Sequence, residues 1–212
     1  MVASLDWATA ASLATALGTL VLAIATFAST RTANRATRVA EQSLIARIRP
    51  LLLSTRMQDP PEKVMWSDQH FARVEGGRGV LEQDGDVIYL AATVRNAGSG
   101  LAVLHGWYSH EDWRDATHPP PETEKFRMLT RDLYIAPGDI GFFQGAVREA
   151  NDPMRERLEA LVKDPQRFAV DLLYGDQEGG QHTVTRFGFT PRNGGWLVAT
   201  SRHWFLDRND PR

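Results

Sequence analysis

Between Trp7 and Thr30 the chain runs for 24 residues without a charged side chain or a proline. As a helix this run reaches roughly 36 Å, against the roughly 30 Å hydrocarbon core of a bilayer, so it is long enough to span. Its only polar side chains are Thr and Ser, and it lacks the polar stripe of a helix that packs in a soluble domain. A secretory signal would open on basic residues, yet Met1 to Asp6 contains neither Lys nor Arg, and no convincing Ala-x-Ala cleavage site precedes the basic cluster. The sequence therefore predicts an uncleaved signal anchor.

The flanking charges predict its orientation. Arg31, Arg35, Arg38, Arg47 and Arg49 follow the run against one acid, Glu41, while Asp6 is the only charged side chain before it. Excess Arg marks the cytoplasmic side, which places a short N-terminus outside and a body of about 180 residues in the cytoplasm, at the inner (plasma) membrane. Arg31, Arg35 and Arg38 are read as topology determinants that can also meet anionic lipid head groups, at about 1 kcal/mol each. A net charge of -2 supplies no global attraction to nucleic acid. The absence of cysteine fits a reducing compartment and equally an exported domain without disulfides. Arg outnumbers Lys by 21 to 3, a bias of GC-rich bacterial coding that speaks of origin and not of mechanism.

The helix is expected to continue through "RTANRATRVAEQSLIARI" to Arg49, where Pro50 disfavours helix at the residue before it. Ala33, Ala40, Leu44 and Ile48 fall near one face, a short packing stripe and not a sustained heptad array. Inside the span Ala10, Ala14 and Gly18 repeat at four-residue spacing, as do Ala11, Thr15, Thr19 and Ala23. Small side chains at that spacing permit close helix approach, so weak self-association through Ala10, Ala14 and Gly18 is expected.

After Pro50 the period changes. "LLLSTRM", "HFARVE", "DVIYLAATVRN", "LAVLHGWYS", "RDLYIA", "GFFQGAV", "FAVDLLYGD", "HTVTRFGFT" and "WLVATSRHWF" are short, rich in Val, Leu, Phe, Tyr and Trp, and separated by Gly, Pro, Asn and Asp turns. They predict antiparallel strands, with "VIYLAATVRN" central, in a mainly β domain of two-sheet sandwich type. One helix interrupts them, "DPMRERLEALVKDP", with Asp152 as cap, Pro153 in the first turn, and Met154, Leu158, Leu161 and Val162 as the apolar face. "YGDQEGGQH" reads as a hairpin whose Gly179 and Gly180 take unusual backbone angles. The expected organisation is a transmembrane anchor over 1–30, a basic juxtamembrane helix over 31–49, a β-sandwich over 50–207 and a tail over 208–212.

The string Asn96-Ala97-Gly98-Ser99-Gly100-Leu101-Ala102 after a strand, then "YIAPGD" and "VDLLYGDQEG", resembles a pattern found in many bacterial single-pass membrane proteins with an N-terminal anchor and an Ig-like β-sandwich. Similar Asn-x-Gly turns occur in bacterial adhesion-type Ig-like modules. The resemblance covers about Pro50 to Thr190, implies fold and topology, and brings no catalytic residue with it.

The remaining motifs specify no reaction. "NAGSG" and "EGGRG" lack the Gly-Lys-Ser/Thr ending of a phosphate loop and read as tight turns. "HGWYSHEDWRDATHPPPE" gathers His105, His110, Asp112, Asp115 and His118, which could ligate a transition metal, but at spacings that match no standard motif. Pro119 to Pro121 form a stiff connector. Ser201, His203 and Asp207 are close in sequence without the context of a triad, and Trp196, Trp204 and Phe205 read as packing residues. No catalytic, metal or cofactor residue is assigned. The expected function is a membrane-tethered, non-enzymatic interaction or sensing module whose partners are the lipid bilayer and a protein, with no nucleic acid. The alternatives are an enzyme with a metal-dependent site in the His105–His118 region, and a self-associating effector that perturbs the membrane.

Overall fold

The computed structural model describes residues 7–110 and 118–208, with side chains at the same positions apart from 8, 36, 38, 39 and 41–47. The chain divides into two compact units, Met1–Ala46 and Arg47–Arg212.

The first unit is a single helix, α1 (Trp7–Arg47), within which Thr9–Arg35 is long and apolar enough to cross a membrane. None of that segment is buried inside the protein. Thr15, Thr19, Thr26 and Thr30 do not break it, because their hydroxyls return to a carbonyl one turn earlier: Thr15 to Ala11 at 2.9 Å, Thr19 to Thr15 at 2.8 Å, Thr26 to Leu22 at 2.8 Å and Thr30 to Thr26 at 2.7 Å. Donors so satisfied need no water, which is the condition for polar side chains in hydrocarbon. The helix ends before Pro50, as the sequence predicts.

The second unit is mainly β and antiparallel throughout its ladders. Its strands are β1 (Leu52–Ser54), β2 (Glu62–Met65), β3 (Phe71–Val74), β4 (Arg78–Asp84), β5 (Val87–Asn96), β6 (Ala102–His110), β7 (Arg127–Met128), β8 (Tyr134–Ile135), β9 (Ile140–Val147), β10 (Phe168–Gly175), β11 (His182–Arg192) and β12 (Gly195–Phe205). A 3-10 turn spans Thr123–Lys125, and helix α2 spans Arg155–Lys163.

β5 is the hub. One of its edges takes β4 and then β1, from Asp84↔Val87 to Leu52↔Asn96, and the other takes β9, from Ile88↔Val147 to Arg95↔Ile140. From β4 the path continues through β12, β11, β10 and β6 to β7, with β8 also on β6. The step from β4 to β12 is narrow, only Trp196↔Gly79 and Leu197↔Arg78. Residues from strands on both sides of this step share one core that includes Leu90, Trp107, Phe143, Phe168, Phe187 and Trp196. α2 closes this core with Leu158 and Leu161, packing against β4 and β5.

β5 is buried on both faces. Ile88, Leu90, Ala92 and Val94 enter the main core, whereas Tyr89 and Ala91 lie under the separate β2–β3 ribbon with Val64, Trp66, Ala72 and Val74. This explains the near-continuous apolar run that marks it as central.

Three local expectations change in detail. Asp152 stands ahead of α2 rather than at its cap: its carboxylate accepts from Met154 N at 2.9 Å and its carbonyl from Arg155 N at 3.0 Å. In the β10–β11 turn only Gly179 takes a positive φ, +74°, while the Asp176 carboxylate accepts from Gly180 N at 3.0 Å. Gly98 and Gly100 of "NAGSG" are needed for close approach and not for left-handed angles, since a Cβ on Gly100 would lie 1.6 Å from Ile48 O.

Candidate functional site

On α1, Ala10, Ala14 and Gly18 lie along one line at successive turns, and a Cβ on Gly18 would meet nothing within 4 Å. Arg31 and Arg35 are exposed at the end of the apolar segment. The side chain of Arg38 lies outside the described residues.

The glycine-rich turns are occupied by the protein itself. Asn96, 1% exposed, accepts from Leu51 N at 3.2 Å and Gly98 N at 3.0 Å, and donates to Gly100 O at 2.7 Å and Ile135 O at 3.1 Å. All four of its amide positions are used to lock the start of the domain. In "EGGRG", Gly77 N donates to Thr55 Oγ1 at 2.7 Å, and Thr93 donates back to the same bend.

The histidine-rich stretch is pulled apart by its strand. His105 sits at the register irregularity inside β6 and His110 at its last residue, while Asp112 and Asp115 lie outside the described residues. His105 faces His182, with ring centroids 5.5 Å apart; burial lowers its pKa, and the neighbouring His182 lowers it further. His110 instead meets two buried charges from other strands. Its Nε2 is 2.6 Å from Asp171 Oδ2 and 2.9 Å from Arg186 Nη2. Among the described residues no group of three His, Cys, Asp or Glu side chains is placed to hold a metal ion.

Asp171 and Arg186 form the most elaborate polar centre. They are directly opposed in the β10–β11 register, and Arg186 donates through Nε to Oδ1 at 2.7 Å and through Nη2 to Oδ2 at 2.8 Å. Asp171 is 0% and Arg186 2% exposed. The guanidinium lies 4.7 Å from the centroid of the Trp204 ring, and its Nη1 donates to His118 O at 3.3 Å. Buried ions need such complete pairing, because desolvation otherwise outweighs their attraction. His110 Nε2 donates to Asp171 when protonated and accepts from Arg186 when not, so either tautomer is satisfied. Around them Phe126, Leu173, Val184 and Trp204 form a small outer core. The centre thus ties His110 and the His118 carbonyl to β10 and β11.

Ser201, His203 and Asp207 do not converge. His203 Nδ1 pairs with Thr185 Oγ1 at 2.7 Å, continuing a buried chain through Tyr174 OH to Leu52 N. Burial, the leading cause, pushes the Tyr174 phenol up to about 12. A register shift in β12 turns Ser201 to the other face, beside Gly188. Asp207 pairs with Arg49, whose guanidinium also lies 4.6 Å from the Phe205 ring centroid. Burial by itself would raise the Asp207 carboxyl, but hydrogen bonding and charge from Arg49 hold it below the ordinary value. Trp196 and Trp204 are core residues, at 5% and 7% exposure.

Sequence reasoning missed Asp171 and Arg186. The available signal was a charge inside each of two apolar strands, at mirrored distances from the Asp176–Gln181 turn. No protein-family model matches the chain, and no curated protein matches it.

Proposed function

We propose that this chain is a membrane-tethered, non-enzymatic interaction or sensing module that holds its β domain at the cytoplasmic face of the inner membrane. The observation that carries the reading is the contrast between the units: an apolar helix segment that is not buried, and a β unit that fills its own core. Arg31 and Arg35, at the end of the apolar segment, support the orientation. Placed there, the β domain offers exposed apolar side chains, Met65 and Phe71 on the ribbon and Met128 and Tyr134 on β7 and β8, as contacts for a protein partner.

The Ig-like sandwich belongs to the same proposal. It is supported by antiparallel pairing throughout the ladders, by one core between two arms of strands, and by the two-pair link between β4 and β12 that nearly divides them.

A C-terminal reporter fusion tests the orientation. It should report cytoplasm, and replacing Arg31, Arg35 and Arg38 by neutral residues with lysines added near Met1 should bias insertion the other way. An unmodified fusion that reports the exterior contradicts the cytoplasmic reading. Self-association through Ala10, Ala14 and Gly18 is tested by crosslinking at matched membrane density, where Gly18→Leu should reduce dimer; equal yields remove this face as the contact.

A further inference from the structure

β6 carries a bulge at His105. Gly106 faces Leu173 and Leu104 faces Tyr174, so adjacent residues of β10 span a longer stretch of β6 and His105 is the extra residue. Its carbonyl accepts from Leu129 N at 2.8 Å, and its ring lies against Gly175, where a Cβ would come 2.9 Å from Nε2. That Nε2 is buried with no hydrogen-bond partner. Directly opposite Gly175 in the β10–β11 register stands His182, and the two imidazole centroids are 5.5 Å apart.

The acids around this pair are committed elsewhere. The Asp176 carboxylate, beside Gly175, accepts from Gly180 N at 3.0 Å and Gln181 N at 3.3 Å. Asp132, next to Arg131 in the segment that follows Leu129, accepts from Gln144 Nε2 at 2.8 Å. Asp207 pairs with Arg49 and accepts from the backbone N of His182 at 3.4 Å, not from its ring. A proton added to His105 would therefore place an N–H at Nε2 with no acceptor, and a proton on each ring would set two cations side by side. Burial and the neighbouring His182 both lower the pKa of His105, in agreement with this geometry.

The pair sits where a small movement has a long reach. His182 opens β11, and the end of β12 is fixed to its backbone, with Leu206 N donating to its carbonyl at 2.9 Å and Asp207 accepting from its N–H. Arg49, just before β1, is held by Asp207 and donates to Thr183 Oγ1 at 3.4 Å, next to His182. The start of β11 thus joins the first and last segments of the β unit.

We propose that His105 and His182 form a proton-operated switch, which keeps the joint between Arg49, the start of β11 and Asp207 closed while both rings are neutral and loosens it on acidification. Moving the start of β11 away from the bulge relieves both penalties, the unmet N–H and the paired cations. Because the pKa of His105 is lowered on closing, the closed joint is fully favoured above about 6.5 and loses that preference as pH falls through the lowered value. Asp207, held below its ordinary value, remains ionised meanwhile. The switch gives the sensing function a stimulus, protons, and rests on that reading only for its biological purpose. Exchange at the joint and fractionation of the anchor are separate measurements, so either can fail alone.

The test is hydrogen–deuterium exchange of the full chain in lipid nanodiscs at about pH 7.5 and about pH 5, corrected for the intrinsic pH dependence of exchange. Peptides covering Thr183 and Leu206 should lose about fivefold in protection at the lower pH, while those covering residues 90–93 of β5 keep theirs. His105→Gln and His182→Gln should each remove that response. His182→Arg, a permanent cation beside His105, should loosen the same peptides already at about pH 7.5, which a loss of packing would not do selectively in this variant. Protection at Thr183 and Leu206 that is independent of pH, that falls equally throughout the β unit, or that falls undiminished in the two Gln variants would overturn the proposal. So would a His182→Arg variant as protected at about pH 7.5 as the unsubstituted chain.

Discussion

α1 and the β unit treat the same residue types in opposite ways. Along the helix Leu17 is 60%, Leu20 57%, Val21 64%, Ile24 61% and Phe27 70% exposed, whereas in the β unit Leu52, Leu90, Val170, Phe187 and Phe189 are all at 1% or less. Burying a Leu or Phe side chain is favourable by about 1.5–3 kcal/mol. The β unit obtains that from its own fold, whereas none of the apolar helix segment is buried. Polar groups divide the same way: helix hydroxyls close onto their own backbone one turn back, whereas Asp171 and Arg186 find each other across strands.

The largest effect should come from charging the helix. A Leu17→Arg, Leu20→Arg double substitution adds about 2.5–3.5 kcal/mol per residue at the middle of a span and should move the protein out of the membrane fraction, with the β unit's circular dichroism unchanged. Loss of the β signal together with membrane association would show that the units are not independent.

Next in size is the buried pair. Asp171→Ala deprives the buried Arg186 of its carboxylate partner and should cost about 3–5 kcal/mol of β-unit stability in denaturant unfolding, without reducing membrane retention. The double substitution Asp171→Leu, Arg186→Met removes both charges and should recover most of that loss. A double variant as unstable as the single one would mean that packing, not the uncompensated charge, governs the site.

The smallest effect is with pH. Burial, reinforced by His182, lowers the pKa of His105, so the unfolded chain takes up that proton first as pH falls. The stability this neutral ring contributes is complete above about 6.5 and is lost as pH drops through its lowered folded value. Asp207 acts in a second window: Arg49 holds its pKa below the model-peptide value of 3.8, so its contribution, about 1 kcal/mol for a partly exposed pair, is complete above that value and is lost as pH falls further, through the lowered folded value. Melting temperature against pH should therefore fall in two steps, the first flattened by His105→Gln and the second by Asp207→Asn.

Much of this architecture is legible in the sequence because burial follows simple periods. Each of the nine apolar segments contains a strand, and "RERLEALVK" forms helix α2. β4 escapes notice because one of its core-facing positions is Gly79, which gives no hydrophobic signal, and β2 because only Val64 is buried among charged neighbours. The polar centres were harder to read. Asp171 and Arg186 become a pair only once the β10–β11 register is fixed, and the histidine stretch looks like one cluster until β6 carries His105 and His110 apart.

The central claim is that the apolar helix stays attached and holds the chain in a membrane. The direct measurement is the intact mass of the protein recovered from membranes after a high-salt wash, which removes electrostatic attachment but not buried apolar surface. The account predicts a salt-resistant species whose mass includes the Trp7–Thr30 segment. A mature mass lacking that segment, or the full-length chain released into the wash, would contradict it.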